Sequence, residues 1–268
     1  MQATGKLIAA VLAAGAAGTV LTGCGGDKDA SAAPVVRAAA TTTGTAAEPF
    51  AGDTGQQLLK KAEAAMTTVS AVTIDLRTTG DDDESVHATI AVTASGRCAA
   101  TADDGGKRFQ IIRTGSVYYM RAGADFWTSE GGPDARTLAK LAGGKWVKLP
   151  ESAEKDGGFD MFCDLNTLLD SAKANDGKAT SVTKGRPTAY DGGQVVPLIQ
   201  KYPADDQDDE DTTLYIAATG APYILKAFTP GDSTNVMTFS RFGRAPVINP
   251  PPAGQIVDLS AAGPGFTI

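Results

Sequence analysis

Three features of the sequence predict an α+β fold: one large antiparallel sheet with its helices gathered on one face. Strand-like segments outnumber helical ones several to one. The turns between them are short, as antiparallel meanders allow. One helix precedes the strands and another interrupts the middle of the chain.

The first helix is predicted over Thr54–Val69. Leu58, Leu59, Ala62, Ala65, Met66 and Val69 recur on one face, Lys60, Lys61 and Glu63 fall elsewhere, and Asp53 or Thr54 is placed to cap it. The period then changes to two. Val72, Ile74 and Leu76 alternate with Thr73, Asp75 and Arg77, and Val86, Ala88, Ile90 and Val92 alternate with His87, Thr89, Ala91 and Thr93. The polar stretch "TTGDDDES" between them reads as a hairpin loop. Further strands are predicted at Arg97–Ala102, Lys107–Thr114, Ser116–Ala122, Phe126–Ser129 and Lys145–Leu149, joined by the turn signals "DDGG", "TG" and "AGAD". A helical interval at Pro133–Ala142 and a second helix over Phe159–Ala172 follow the same logic. The C-terminal part returns to strands at Thr180–Lys184, Gln194–Gln200, Thr212–Ala218, Pro222–Thr229 and Asn235–Phe242. "INPPPAG" then closes the domain as an extended edge that cannot donate ladder hydrogen bonds.

The N-terminus carries a different signal. The apolar run Leu7–Val20 follows Lys6 and is shorter than the ~20 residues a membrane-spanning helix needs, which is the layout of an export signal. It leads into Leu21-Thr22-Gly23-Cys24, which resembles the bacterial lipobox. The resemblance implies that Cys24 is diacylated and becomes the mature N-terminus. Residues 1–23 are then a lipoprotein signal peptide, and residues 24–52, rich in Ala, Thr, Gly and Ser, an acylated N-terminus and disordered tether. As a flexible coil the tether would span ~30 Å. Residues 53–268 form the folded domain, held at the outer face of the cytoplasmic membrane.

The chain has 268 residues, 42% of them hydrophobic, and a formal net charge of −7. That charge argues against nucleic acid, which requires basic surface to neutralise phosphate, and against electrostatic adhesion to anionic lipid. The two cysteines besides Cys24, Cys98 and Cys163, lie in an exported chain and read as a disulfide worth roughly 4 kcal/mol of loop-closure entropy; two separate buried thiols are the alternative. No CxxC spacing accompanies them, and His87 is the single histidine. No metal or cofactor site is therefore expected. Nor is there a nucleophile elbow, P-loop or dinucleotide fingerprint, so no catalytic residue is assigned and the chain is read as a non-enzyme. The acidic runs "DDDE" at 81–84 and "DDQDDED" at 205–211 lack the glycine of a calcium loop and read as solvated loops.

The order of lipobox, tether, amphipathic helix and two long strands continues into "GSVYYMRAGADFW", "GKWVKLP", a mid-chain helix and the ending "TLYIAATGAPYILKAF…VMTFSRFGRAPVINPPP". Over roughly residues 54–260 this resembles the LolA-like superfamily, and within it the LppX/LprG-type lipoproteins of actinobacteria. The resemblance implies a strongly curved antiparallel sheet, a half-open barrel with helices on its concave face, and acyl chains held between them. The inward residues would be Ile74, Leu76, Val86, Ile90 and Val92, with Phe109, Ile111, Val117 and Tyr119 on the next strand pair and Phe162, Leu168 and Leu169 facing them from the mid-chain helix. A filled core and a cavity are lined by the same residue types; the resemblance is what favours the cavity. The function implied is binding or carriage of a lipid or glycolipid, with residues 129–145 as a lid. The alternative is a non-enzymatic interaction module in envelope-stress sensing, with an unidentified protein partner.

Overall fold

In the computed structural model the described residues are 48–80, 85–130, 135–149, 160–171, 179–203 and 211–259. Cys24, the export signal and nearly all of the tether lie outside them, as do residues 81–84 and 205–210 of the two acidic runs and residues 131–134 of the expected lid.

Helix α1 (Gly55–Met66) begins with a reciprocal cap. Thr54 Oγ1 accepts from the Gln57 N–H at 3.2 Å, and Gln57 Oε1 accepts from the Thr54 N–H at 2.9 Å. Its buried face consists of Leu58, Leu59, Ala62 and Met66. A meander follows: β1 (Ala71–Thr79), β2 (Ser85–Thr93), β3 (Cys98–Asp104), β4 (Lys107–Thr114) and β5 (Val117–Ala122), each antiparallel to the one before. Helices α2 (Ala124–Glu130) and α3 (Ala135–Ala142) lead to β6 (Trp146–Lys148) beside β5. Two short helices, α4 (Asp160–Cys163) and α5 (Leu165–Ser171), come next. The chain then forms β7 (Ser181–Lys184), β8 (Thr188–Tyr190), β9 (Gly193–Lys201), β10 (Thr212–Ala217), β11 (Ile224–Thr229) and β12 (Thr234–Ser240).

A single sheet joins all of these strands. With a last strand β13 (Ile256–Asp258), its order is β13-β6-β5-β4-β3-β2-β1-β12-β11-β10-β9-β7, and β8 also lies on the β9 edge. The middle of the sheet is the pairing of β1 with β12, and β13 returns parallel to β6. The sheet is open and curved, with the helices on its concave face.

Several elements differ from the sequence reading. The strand expected at Phe126–Ser129 is instead helix α2. Gly123 ends β5, Asp125 sits in the first helical turn where the dipole favours a carboxylate, and the Thr128 and Ser129 hydroxyls donate back to carbonyls of that turn. The helix expected at Phe159–Ala172 breaks at Asp164, whose Oδ1 accepts the Thr167 N–H at 2.7 Å and so starts a second helix. Strand β8 was not anticipated; it is closed on β9 by Asp191 and Gly192, both at positive φ as a two-residue hairpin turn requires. After the proline run the chain forms a 3-10 turn at Ala253–Gln255 and then β13, rather than ending as an unpaired edge.

Candidate functional site

Register decides which side chains share the concave face, because strand residues alternate between faces and paired residues share one. One row crosses seven strands as Phe239–Ile74–Ile90–Ala100–Ile111–Met120–Val147. Each of these is at most 3% exposed. A void large enough for water would expose its lining, so this row is packed solid. Val92 and Val72, one row deeper, are likewise buried at 0%.

The neighbouring row is different. It runs Ala227–Met237–Leu76–Ala88–Ala102–Phe109–Ala122. Ala227, Met237, Leu76 and Phe109 are partly exposed, while the three alanines between and beside them are buried. Phe126 from α2 and Phe162 from α4, both also partly exposed, complete an apolar mouth. The Phe109 ring lies 5.1 Å from Phe126 and 6.1 Å, edge-on, from Phe162; Phe126 meets Trp127 edge-on at 5.5 Å. Beyond the mouth the same face turns polar. Thr78 pairs with Val86 and Asn235, its hydroxyl donating to Asn235 Oδ1 at 2.7 Å, and Asp104 pairs with Lys107.

The mid-chain helices are held against this face covalently. Cys98 at the start of β3 and Cys163 at the end of α4 form a disulfide, with Cα atoms 5.3 Å apart, within the range a bridge spans without backbone movement. Leu168 and Leu169 of α5 are buried at 8% and 4%. Asp164, between the two helices, has its carboxyl held below the ordinary value chiefly by the Thr167 backbone N–H, an effect that outweighs partial burial.

Among the residues expected to contact lipid, Leu76, Val86, Phe109 and Phe162 line or border the mouth, whereas Ile74, Ile90, Val92 and Ile111 belong to the packed rows. Val117 and Tyr119 are corrections. They lie on the opposite face, because Ile111 pairs with Met120 and Arg113 with Tyr118. Tyr118, Met120 and Ala122 are the inward residues of β5. Arg121 shares its parity with Val117 and Tyr119 and pairs with Gln110, so that face of β5 is the polar one. Met237 and Ala227 were missed because only the β1–β12 pairing, formed across most of the chain, brings them beside Leu76.

No protein-family model and no curated protein matches the chain. Its structure matches that of LprF from Mycobacterium bovis with a TM-score of 0.50 and 17% identity, over 76% of this chain and 99% of LprF. The chain has the LprF fold. LppX from Mycobacterium tuberculosis matches with a TM-score of 0.43 and 16% identity, over 72% of this chain and 98% of LppX. A LolA superfamily protein from Nitrosomonas europaea gives 0.25 and 11%, over 75% and 96%. The LprF fold is the open, curved sheet with helices on its concave face that the sequence resemblance implied. Among the described residues no helix is long and apolar enough to cross a membrane.

Proposed function

We propose that this is a lipid-anchored extracytoplasmic protein that binds the acyl part of a lipid or glycolipid at the mouth of its concave face. The partly exposed row Met237–Leu76–Phe109, continued by Phe126 and Phe162, carries the reading. A cluster of large apolar side chains left partly wet on an otherwise sealed face gains from being covered, at ~0.8 kcal/mol for each CH₂ buried against it. Cys24, by its lipobox setting, supplies the anchor, and residues 24–52 the reach. The described residues of the mouth are apolar, which suits binding.

Binding of cis-parinaric acid, followed by its fluorescence, tests this. Leu76→Trp fills the mouth and is expected to abolish binding with little change in melting temperature. Ile90→Trp overfills the packed row and is expected to cost about 1–3 kcal/mol of stability. Absence of binding by the unaltered protein, or undiminished binding by Leu76→Trp, would overturn the proposal.

A further inference from the structure

Trp127 carries a polar atom for which the fold provides no partner. Its side chain, in α2, is 1% exposed, and its indole N–H makes no hydrogen bond. Among the described residues the Gln200 Oε1 oxygen is the other buried side-chain atom in this state. The two are not equivalent. An acceptor oxygen with two lone pairs is left incompletely paired more often than an N–H, and Gln200 pairs in register with the polar Thr212. A buried donor without a partner loses the whole of its hydration on folding, so such a group calls for an explanation.

The place of Trp127 in the fold supplies one. Its ring meets Phe126 edge-on at 5.5 Å, Phe126 lies 5.1 Å from Phe109, and Phe109 lies 6.1 Å from Phe162. Trp127 is thus the inner end of a chain of rings whose other members line the mouth. Those phenyl rings hold no oxygen or nitrogen, and an edge-on ring gives an N–H at best a weak contact. They also give a water none of the polar partners it would need. What satisfies the indole N–H in such surroundings is an acceptor carried in by the ligand. That acceptor must be uncharged, because a carboxylate or phosphate would be buried with no cation among the mouth residues. The carbonyl oxygen of an acyl ester meets both conditions. An ether-linked or isoprenoid chain lacks that oxygen.

We propose that the Trp127 indole N–H donates to the ester carbonyl of a lipid seated at the mouth, so that the protein selects ester-linked acyl chains. This rests on the mouth as the acyl site. Phe126 is partly exposed and so has room to turn and admit the carbonyl to the ring behind it. The test compares 1-palmitoylglycerol with 1-O-hexadecylglycerol as competitors of cis-parinaric acid; the second has the same chain length and head but no carbonyl. The ester is expected to bind about tenfold tighter, the worth of one hydrogen bond to an otherwise unpaired donor. Trp127→Phe should remove that preference by weakening the ester alone. A second readout leaves Trp127 in place. In protein isotope-labelled at nitrogen, its indole proton resonance should move downfield with the ester and not with the ether. The chain has 2 tryptophans, so Trp146→Phe assigns the signal. Equal competition by the two lipids, an unmoved indole proton, or a preference that survives Trp127→Phe would each overturn the inference while leaving the mouth as an acyl site. Failure of both lipids and of cis-parinaric acid to bind would instead remove the mouth reading, and this inference with it.

Discussion

Phe162 meets Phe109 edge-on, 6.1 Å between ring centroids, and the residue that follows Phe162 is the disulfide-bonded Cys163. The covalent link therefore fixes where α4 presents its ring to the mouth. The loop that the bridge closes spans a sequence separation of 65 residues. Replacing both cysteines by serine is expected to lower stability by about 2–5 kcal/mol, as removal of native disulfides commonly does. Thermal melts of the oxidised protein, the reduced protein and the double variant should place the last two together and well below the first.

Gly55, the first residue of α1, tests how closely that helix is seated. A Cβ there would come 2.2 Å from the Val182 carbonyl oxygen of β7, a backbone atom that cannot swing aside. Helix propensity alone would favour alanine by up to ~1 kcal/mol. The clash outweighs it, so Gly55→Ala is expected to destabilise by about 1–3 kcal/mol in a denaturant titration.

Asp75 gives an acid-side prediction. Partial burial raises its carboxyl pKa, but the hydrogen bonds and charges of His87 and Arg77 outweigh burial and hold it below the ordinary 3.8. A group depressed in the folded state adds stability above its unfolded value and loses it as pH falls through the folded one. Stability should therefore decline as the pH drops below about 4, and Asp75→Asn should flatten that limb while lowering stability at neutral pH. With the carboxylate about a third exposed, the effect at neutral pH should not exceed about 1 kcal/mol. Urea titrations from pH 3 to pH 7 measure both slopes.

Cys24 decides the anchor. Wild-type protein is expected in the membrane fraction, cleaved before Cys24, and Cys24→Ala is expected to be unprocessed or released. Intact-mass measurement after fractionation reads both. A wild-type chain that is fully soluble and still carries residues 1–23 would rule the anchor out.

What could be read from the sequence follows the range of the interactions involved. Strand β4 was anticipated over its full extent, Lys107–Thr114, because "DDGG" and "TG" bracket an alternating run; both signals are local. The capped α1 helix was legible for the same reason. The phase of β5 was not. Tyr118 and Tyr119 are adjacent and alike, so either parity gives an aromatic inward face until Arg121 is counted. The mouth itself was only half legible. Leu76, Phe109 and Phe162 stand out as apolar, but their partial exposure depends on which rows align across β11, β12, β1 and β4, and local pattern does not encode that register.

The pairing of β1 with β12 also sets the order in which the molecule can be completed. Residues 73–79 bond to residues 234–240, so the centre of the sheet is sealed by contacts between segments far apart in the chain. The meanders β1–β5 and β10–β12 close through short connections and are fast by nature; joining them carries the entropic cost of a long loop. In a chain made N-terminus first, one edge of β1 stays unpaired until nearly the whole length has emerged. During that interval that edge has no strand to pair with, so shielding it from aggregation is a matter of timing.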